Sequence, residues 1–520
     1  MKDIYSSIPE KFNISEYLFR ECNIEKGRGK KAAFYFKDIK YTYEEVDKYC
    51  CKYGNLFLNM GLQMEQRIAI LLPDQPAYIF SFFGAIRAGI VAVLINTRLK
   101  IEDIKYIIED SRIQLLLTDK NWKERLGNIK TPWLKNIIII DDDSQENKFD
   151  NIIESCSETL ETAQTTRDDI AFWMYTSGSS GRPKGVMHLQ HDMYICIELF
   201  SKGLMKMTEN DVMYSIAKLP FAYGLANSTY LTFGVGATSI LSDSNSAFDI
   251  VENVKKYKPT LFFAVPVIFA SLLHIVDVEP LDTSSIRIMY TSGEVLPKSL
   301  WYKWKERFGI ELVQGMGTTE FLNGFLSDIP GNVRPGSTGL PIEGYEVKVV
   351  DENNNPVKPG VVGDLLVSGE SLMCGYWNRH NETQKVLFGN SMKTGDKFYQ
   401  DEDGYFYYVG RCIDLFKVNG LWVKATEIED VLTRNPKIYQ VAIDDEISEE
   451  ELTKIVAYVV LQPSVEPNEE LTREFKRFMK SNIEHFKCPA EYRYVDEIPK
   501  GPTGKIDRRV LKGFKEKYKK

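Results

Sequence analysis

Along this 520-residue chain the spacing of apolar positions changes character at identifiable places, and the changes divide it. In the first two thirds, short runs rich in β-branched residues, such as 67–72 (RIAILL) and 137–140 (IIII), are bounded by polar or turn residues and predict strands. Between the early strands, apolar residues recur at helical spacing over 43–59 and 77–88. Strands alternating with helices predict parallel α/β sheets. From about Gly336 the texture shifts to short strands such as 347–350 (VKVV), separated by turn clusters at 351–356, 358–360 and 401–404. That pattern predicts a small, mostly antiparallel β unit. After Arg411, a helix over 425–433, a strand over 455–461 and a helix over 468–482 predict a compact α+β domain of about a hundred residues.

At roughly 100–200 residues per domain, the length predicts two to four domains with sizeable cores. The most apolar long stretch, 260–273 (TLFFAVPVIFASLL), is shorter than the roughly 20 residues that span a bilayer and contains Pro266, so it predicts core. The N-terminus lacks the apolar run of a secretory signal, and the chain ends Tyr-Lys-Lys rather than Ser-Lys-Leu. With 65 Lys and Arg against 73 Asp and Glu, the net charge of −8 argues against a nucleic-acid partner, which needs clustered cations. Eight cysteines without a CxxC pair predict reduced thiols. The expected location is cytoplasmic, with no membrane partner. The segment 500–520 carries nine Lys and Arg against two acidic residues; most such runs are solvated ends, but here a Gly-Pro-Thr-Gly turn presents Lys505.

The sharpest local chemistry lies at 176–185, TSGSSGRPKG, directly after a predicted strand at 170–175. Three glycines let backbone N–H groups approach an anion, the hydroxyls of Thr176, Ser177, Ser179 and Ser180 add donors, and Lys184 brings a mobile positive charge. A flexible linker is the bland alternative, but it would not need a Pro-Lys-Gly stop after a buried strand. The usual triphosphate loop is excluded, because after Gly178 the matching positions hold Pro183, Lys184 and Gly185 instead of Gly, Lys and Ser or Thr.

This segment resembles the signature loop of the adenylate-forming superfamily, which includes acyl-CoA synthetases, luciferases and peptide-synthetase adenylation domains. Four further matches follow in family order: 315–320 (GMGTTE), 394–396 (TGD), Gly410-Arg411 and 502–505 (PTGK). The resemblance spans residues 12 to about 512, and its flavour at 34–45, 186–193 and 217–227 (AKLPFAYGLAN) is that of the benzoate-CoA ligase group. It implies ATP-dependent activation of a carboxylic acid to an acyl-adenylate, then thioester formation with CoA. By resemblance, Thr176, Ser177, Gly178, Ser179, Ser180, Gly181, Lys184, Gly293, Glu294, Gly315, Thr318, Asp396 and Arg411 bind the nucleotide. Glu320 would be the Mg²⁺ carboxylate beside Thr319, since magnesium bridges substrate phosphates through oxygen ligands. Asp396 would accept the ribose hydroxyls, although a plain turn aspartate has the same look. Lys505 would stabilise the charge that grows as a carboxylate oxygen attacks the α-phosphorus.

The resemblance also implies a large N-terminal domain, 1–412, and a small mobile lid, 413–520, that rotates between the two half-reactions. The hinge maps to Ile413 and Asp414, where the family usually has Asp or Lys at the first position. Lys417 and Gly420 would enter after rotation, with Gly420 leaving room for a pantetheine arm; Asn419-Gly420 is equally a hairpin turn. The acid pocket would comprise Ala222, Tyr223, Gly224, Gly317, Asn323 and Gly324. Phe221-Ala222 stands where amino-acid-activating relatives carry a Phe-Asp pair, so an α-ammonium would lack its partner and an aromatic acid is expected. Benzoate ligases tend to have His and a bulky aliphatic where this chain has Asn323-Gly324, which favours a hydroxybenzoate. His188 and His191 are expected to be packing residues, because this chemistry needs no general base. Two alternatives stay open: transfer to the phosphopantetheine thiol of a carrier protein, and a non-catalytic acyl-nucleotide sensor.

Overall fold

The computed structural model describes residues 4–141, 149–176, 182–244, 246–411, 415–418, 421–447, 453–499, 506 and 510–511. Its contacts divide the chain into two units: one holds 1–361, 365–394 and 400–407, and the other holds 362–364, 395–399 and 408–520.

The first unit is built on two large sheets. A nine-stranded sheet runs in the order Leu340–Pro341, Gly324–Ser327, Leu312–Gly317, Ile288–Thr291, Leu261–Ala264, Val212–Ser215, Thr238–Leu241, Ala32–Phe36, Ile39–Thr42. A seven-stranded sheet runs Gly375–Tyr376, Lys184–Leu189, Ile170–Thr176, Val91–Leu94, Arg67–Leu71, Leu115–Thr118, Asn136–Ile139. The central pairings of both are parallel, and their strands are buried on both faces, which is why they read as apolar runs rather than alternating ones. The paired helices Tyr43–Asn59 and Pro76–Arg87 pack on the sheets, the first against Ala32–Phe36 and Ile39–Thr42, the second against Arg67–Leu71 and Val91–Leu94, with its Phe80 also meeting the rings of Phe34 and Tyr41. Thr42 and Glu45 close a reciprocal cap at the start of the first of these helices. The buried Arg87 guanidinium sits 2.8 Å from Asp47 Oδ1 and donates to the Ser15 carbonyl, tying this helix pair to the N-terminal helix.

The apolar stretch at 260–273 resolves into the strand Leu261–Ala264 and the helix Pro266–Ile275, with Pro266 at the first helical turn, where its missing N–H costs nothing. No helix among the described residues is long and apolar enough to cross a membrane. The antiparallel unit is a five-stranded sheet, Glu346–Val350, Gly363–Ser368, Ser391–Gln400 and Leu387–Phe388, with Phe406–Arg411 also paired to Ser391–Gln400. The second unit contains the antiparallel pair Leu415–Val418 and Leu421–Lys424, and a three-stranded sheet of Ile438–Ile447, Thr453–Leu461 and Glu491–Tyr494. Val423, Ile428, Leu432, Ile443, Ala457, Phe475 and Met479 form its core with the helices Ala425–Thr433 and Glu469–Asn482.

Where Gly324–Ser327 ends, the buried carboxyl of Asp328 accepts from the backbone N–H groups of Gln314 and Arg334 and from the Ser337 hydroxyl. Burial outweighs these bonds and pushes Asp328 up to about 7. The folded chain thus keeps a proton that the unfolded chain releases near pH 4, so stability falls as pH rises from about 4 towards 7. Denaturant unfolding at several pH values in that window should show this decline in the wild type and a flatter profile in Asp328→Asn.

Candidate active site

The strands that flank the predicted phosphate segment in sequence are paired with each other. Ile170–Thr176 pairs in parallel with Val91–Leu94 on one side and antiparallel with Lys184–Leu189 on the other, with Thr176 opposite Lys184. Ser177, Gly178, Ser179, Ser180 and Gly181 lie outside the described residues. Lys184 is largely buried, its Nζ 2.9 Å from Glu382 Oε2 and 4.8 Å from the ring centre of Tyr376. Tyr376 sits on the short strand beside this hairpin, opposite Val186, and its hydroxyl donates to Glu320 Oε1 at 2.7 Å. Lys184 and Glu320, found by motif, are thereby joined through Tyr376, which no local pattern singles out.

The Glu320 turn is shaped by close backbone approach. Leu312–Gly317 runs into a single 3₁₀ turn at Thr319–Phe321, reverses at Leu322, and returns antiparallel as Gly324–Ser327. Leu322 has φ +62°, a conformation that disfavours a leucine by about 1–2 kcal/mol. Tyr230 Oη and Ser371 Oγ donate to the carbonyls of Leu322 and Phe321 and hold the reversal in place. A Cβ on Gly317 would lie 2.2 Å from the Asn323 carbonyl oxygen, and one on Gly315 would lie 1.6 Å from Tyr290 Oη, so neither site has room for a side chain. Two buried polar atoms of this turn, Thr318 Oγ1 and Asn323 Nδ2, have no hydrogen-bond partner among the described residues. The Glu320 carboxylate and the unused Thr318 hydroxyl are hard oxygen donors, the set that suits Mg²⁺.

Tyr223 lies in the helix Ala222–Ser228, which starts after Phe221. Its hydroxyl is buried and donates to the Tyr290 carbonyl at 3.3 Å, and this burial holds the phenol well above its ordinary range. The side chain as a whole is only half-buried. Tyr223, Phe263, Tyr290 and Phe200 form a row: the first two rings are near-parallel at 6.3 Å, the middle two stack at 4.9 Å, and Phe200 meets Tyr290 edge-on at 5.5 Å. Gly224 presses the helix against the preceding loop, since a Cβ there would lie 2.1 Å from the Lys218 carbonyl oxygen. Gly324 differs, because its nearest neighbours, Met316 O, Ile342 and Phe200, would meet a methyl at 3.5–3.6 Å. Asp74, another residue without a sequence signal, accepts from Leu219 N–H at 3.0 Å and so anchors the loop that enters this helix. Ala222 is half-buried at the start of the same helix. Gly293, with φ +87°, and the exposed Glu294 follow the end of Ile288–Thr291.

In the second unit, Asp396 is 1% exposed and its Oδ1 lies 3.0 Å from Nε of the half-exposed Arg411. Lys417 belongs to Leu415–Val418, opposite Trp422. Ile413, Asp414, Gly420 and Lys505 lie outside the described residues.

Residues 21–377 match the family model for AMP-binding enzymes, and residues 427–505 match that for the C-terminal domain of AMP-binding enzymes. The chain belongs to this AMP-binding, adenylate-forming family. Within it, the chain is 35% identical over 507 residues to a 4-hydroxybenzoate–CoA/benzoate–CoA ligase of Rhodopseudomonas palustris, covering 95% of this chain and 93% of that one. It is 33% identical to a benzoate–CoA ligase of Thauera aromatica, covering 97% and 96%. Among solved structures, an anthranilate CoA ligase in complex with anthranoyl-AMP superposes with a TM-score of 0.81 at 32% identity, covering 98% of both chains. A benzoate CoA ligase from Burkholderia xenovorans gives 0.76 at 32% identity, covering 96% and 99%.

The close approach of Gly315 to Tyr290 has a direct consequence. Gly315→Ala should displace the Tyr290 ring, destabilise the chain by about 1–3 kcal/mol through overpacking, and weaken acid-dependent turnover by disturbing the row of rings. Adding Tyr290→Phe, which clears the hydroxyl, should recover part of the thermal midpoint. An unchanged midpoint in Gly315→Ala would contradict the geometry.

Proposed function

We propose that this chain uses ATP and Mg²⁺ to convert an aromatic carboxylic acid, of the benzoate or hydroxybenzoate type, into an acyl-adenylate and then passes the acyl group to the thiol of CoA. The observation that carries this reading is the half-open Tyr223 ring. It heads a row of aromatic side chains that touches, at Tyr290 and Gly315, the strand leading into the Thr318–Thr319–Glu320 turn. A flat apolar wall beside oxygen donors suits a benzene ring whose carboxylate points to the nucleotide. The names of the relatives, which denote benzoate, 4-hydroxybenzoate and anthranilate ligases, support the same substrate class.

In this reading the loop at 176–181 and Lys184 hold the triphosphate, Gly293 and Glu294 border the adenine, and Asp396 takes the ribose hydroxyls with Arg411 fixing its carboxylate. Thr318 and Thr319 donate to the phosphates, and Glu320, kept in place by Tyr376, holds Mg²⁺. The ion supplies charge neutralisation on the phosphates when bound. Attack by a carboxylate oxygen on the α-phosphorus releases pyrophosphate, and Lys505 stabilises the charge that develops. The lid then turns about Ile413–Asp414, Lys417 and Gly420 approach, and the CoA sulfur attacks the acyl carbonyl and expels AMP.

The ring substituent is read from Asn323, whose buried Nδ2 has no hydrogen-bond partner among the described residues. A phenolic oxygen would accept from it, whereas an unsubstituted ring leaves a buried donor unpaired. Acid-dependent pyrophosphate release, measured with benzoate, the hydroxybenzoates, cinnamates and short fatty acids, tests the reading. Turnover should be confined to aryl acids and abolished in Lys505→Ala. At least one hydroxybenzoate should exceed benzoate by about 5- to 100-fold in kcat/KM, a preference that Asn323→Ala erases. Benzoate outperforming every hydroxylated analogue would overturn the substituent assignment. Thioester formation with free CoA, against none with a phosphopantetheine-loaded carrier protein, would exclude the carrier alternative.

A further inference from the structure

His188 and Asp192 form a buried connection that the nucleotide and acid sites do not account for. Both side chains are fully buried. His188 Nδ1 lies 2.7 Å from Asp192 Oδ2, and His188 Nε2 lies 2.8 Å from the backbone carbonyl oxygen of Thr319. That carbonyl can only accept, so Nε2 carries the hydrogen and donates it. The ring is stacked on Phe172 of the neighbouring strand, with centroids 5.3 Å apart and planes 23° from parallel. Asp192 is itself fixed, accepting from Leu189 N–H at 3.1 Å and lying 3.1 Å from His191 Nε2, while His191 Nδ1 faces the Arg167 carbonyl at 2.9 Å. The imidazole therefore has one orientation available, and it points at Thr319.

The position of that carbonyl matters. Its C=O lies in the peptide plane that joins Thr319 to Glu320, so holding it fixes the direction in which the Glu320 side chain leaves the backbone. The next restraints are the Met373 N–H on the Glu320 carbonyl at 2.8 Å and the Tyr376 hydroxyl on the carboxylate at 2.7 Å. His188 lies on the strand that carries Lys184, four residues on and on the same face, so one strand sets both the phosphate lysine and the turn with the metal carboxylate.

We propose that His188 is a positioning residue for adenylation: oriented by Asp192, it holds the Thr319 carbonyl and thereby aims Thr318 and Glu320 at the phosphates and Mg²⁺. The proposal rests on the reading of Glu320 as the metal carboxylate. A donor lost from such a restraint misplaces the reacting groups without removing any of them, and small misplacements are costly to catalysis.

The test uses two substitutions that each keep one half of the contact. In His188→Gln the amide nitrogen reaches about as far as Nε2 and retains the donor to Thr319. In His188→Asn it reaches about as far as Nδ1 and retains only the partner for Asp192. Pyrophosphate release by full-length protein should fall about tenfold or more in kcat/KM for ATP in His188→Asn, with a raised half-saturating Mg²⁺ concentration and an unmoved KM for the acid. His188→Gln should stay within about threefold of wild type. Asp192→Asn, which keeps an acceptor for Leu189 N–H but loosens the ring, should shift the Mg²⁺ dependence in the same direction, and it decides the matter if His188→Asn does not fold. Equal activity and equal Mg²⁺ dependence of the Asn and Gln variants, or losses that merely follow their thermal midpoints, would overturn the proposal. Glu320→Gln run alongside separates the two readings: if it is impaired while His188→Asn is normal, the positioning role fails and the metal carboxylate stands. If Glu320→Gln matches wild type in rate and Mg²⁺ dependence, the metal reading fails and takes the proposal with it.

Discussion

The hydrogen bond from Tyr376 to Glu320 joins two sheets that have no strand in common. Tyr376 extends the seven-stranded sheet beside the phosphate hairpin, and Glu320 sits on the turn between two strands of the nine-stranded sheet. Backbone pairing fixes positions within each sheet but says nothing about the other, so contacts outside the strand ladders must set the alignment between them, among them the Met373 N–H on the Glu320 carbonyl. Tyr376 supplies one tie through the carboxylate and His188 a second through the adjacent carbonyl. Both are short and their groups are buried or half-buried, where hydrogen bonds hold geometry more firmly than at an exposed surface. The relative placement of Lys184 and Glu320 depends on that alignment, because Tyr376 stands between them.

Small residues meet the same demand from the other direction. At Gly315, Gly317 and Gly224 the neighbouring atoms stand where a Cβ would be, so these glycines measure how closely backbone and ring are packed rather than how freely the chain moves. The consequence is a rigid chain of contacts from Tyr223 through Tyr290 to the strand before Glu320. Leu322 shows the strain this entails, a left-handed leucine held by hydrogen bonds to its own carbonyl and to that of Phe321.

Periodicity made the framework legible. The helix over 43–59 and the strand beginning at 67 were readable because each apolar position belongs to one regular pattern with one face or both faces buried. The segment at 176–185 and the Glu320 turn stood out for a different reason, since glycines and hydroxyls at close spacing have a chemical use that local structure alone does not require. Tyr376, Asp74 and the donor role of His188 carried no such mark. Each acts on a backbone or side-chain atom far away in sequence: Tyr376 on residue 320, Asp74 on residue 219 and His188 on residue 319. A tyrosine, an aspartate or a histidine in isolation fits packing equally well, and only the fold supplies the partner. Leu322 was illegible in another sense, because no leucine announces a positive φ.

In the proposed reading, the wall that faces the acid and the Glu320 turn divide their tasks by what each residue can change without disturbing the other. Gly315, Gly317 and Gly224 leave no space, so any substitution there moves the wall itself. Gly324 and Asn323 are the exceptions. The first would take a methyl at ordinary contact distance, and the second ends in a buried donor with no partner among the described residues. On the proposed function, variation in which acid is accepted can be concentrated at these two positions, since they alter volume and hydrogen bonding there while the contacts that hold Glu320 come from His188, Met373 and Tyr376. In that reading substrate choice and adenylation chemistry sit within four residues of each other along the chain, at Glu320 and Gly324. They remain separable because the Glu320 carboxylate is held by Tyr376 of the seven-stranded sheet, whereas the aromatic row is built from Phe263 and Tyr290 of the nine-stranded sheet and from Tyr223 and Phe200 on helices beside it.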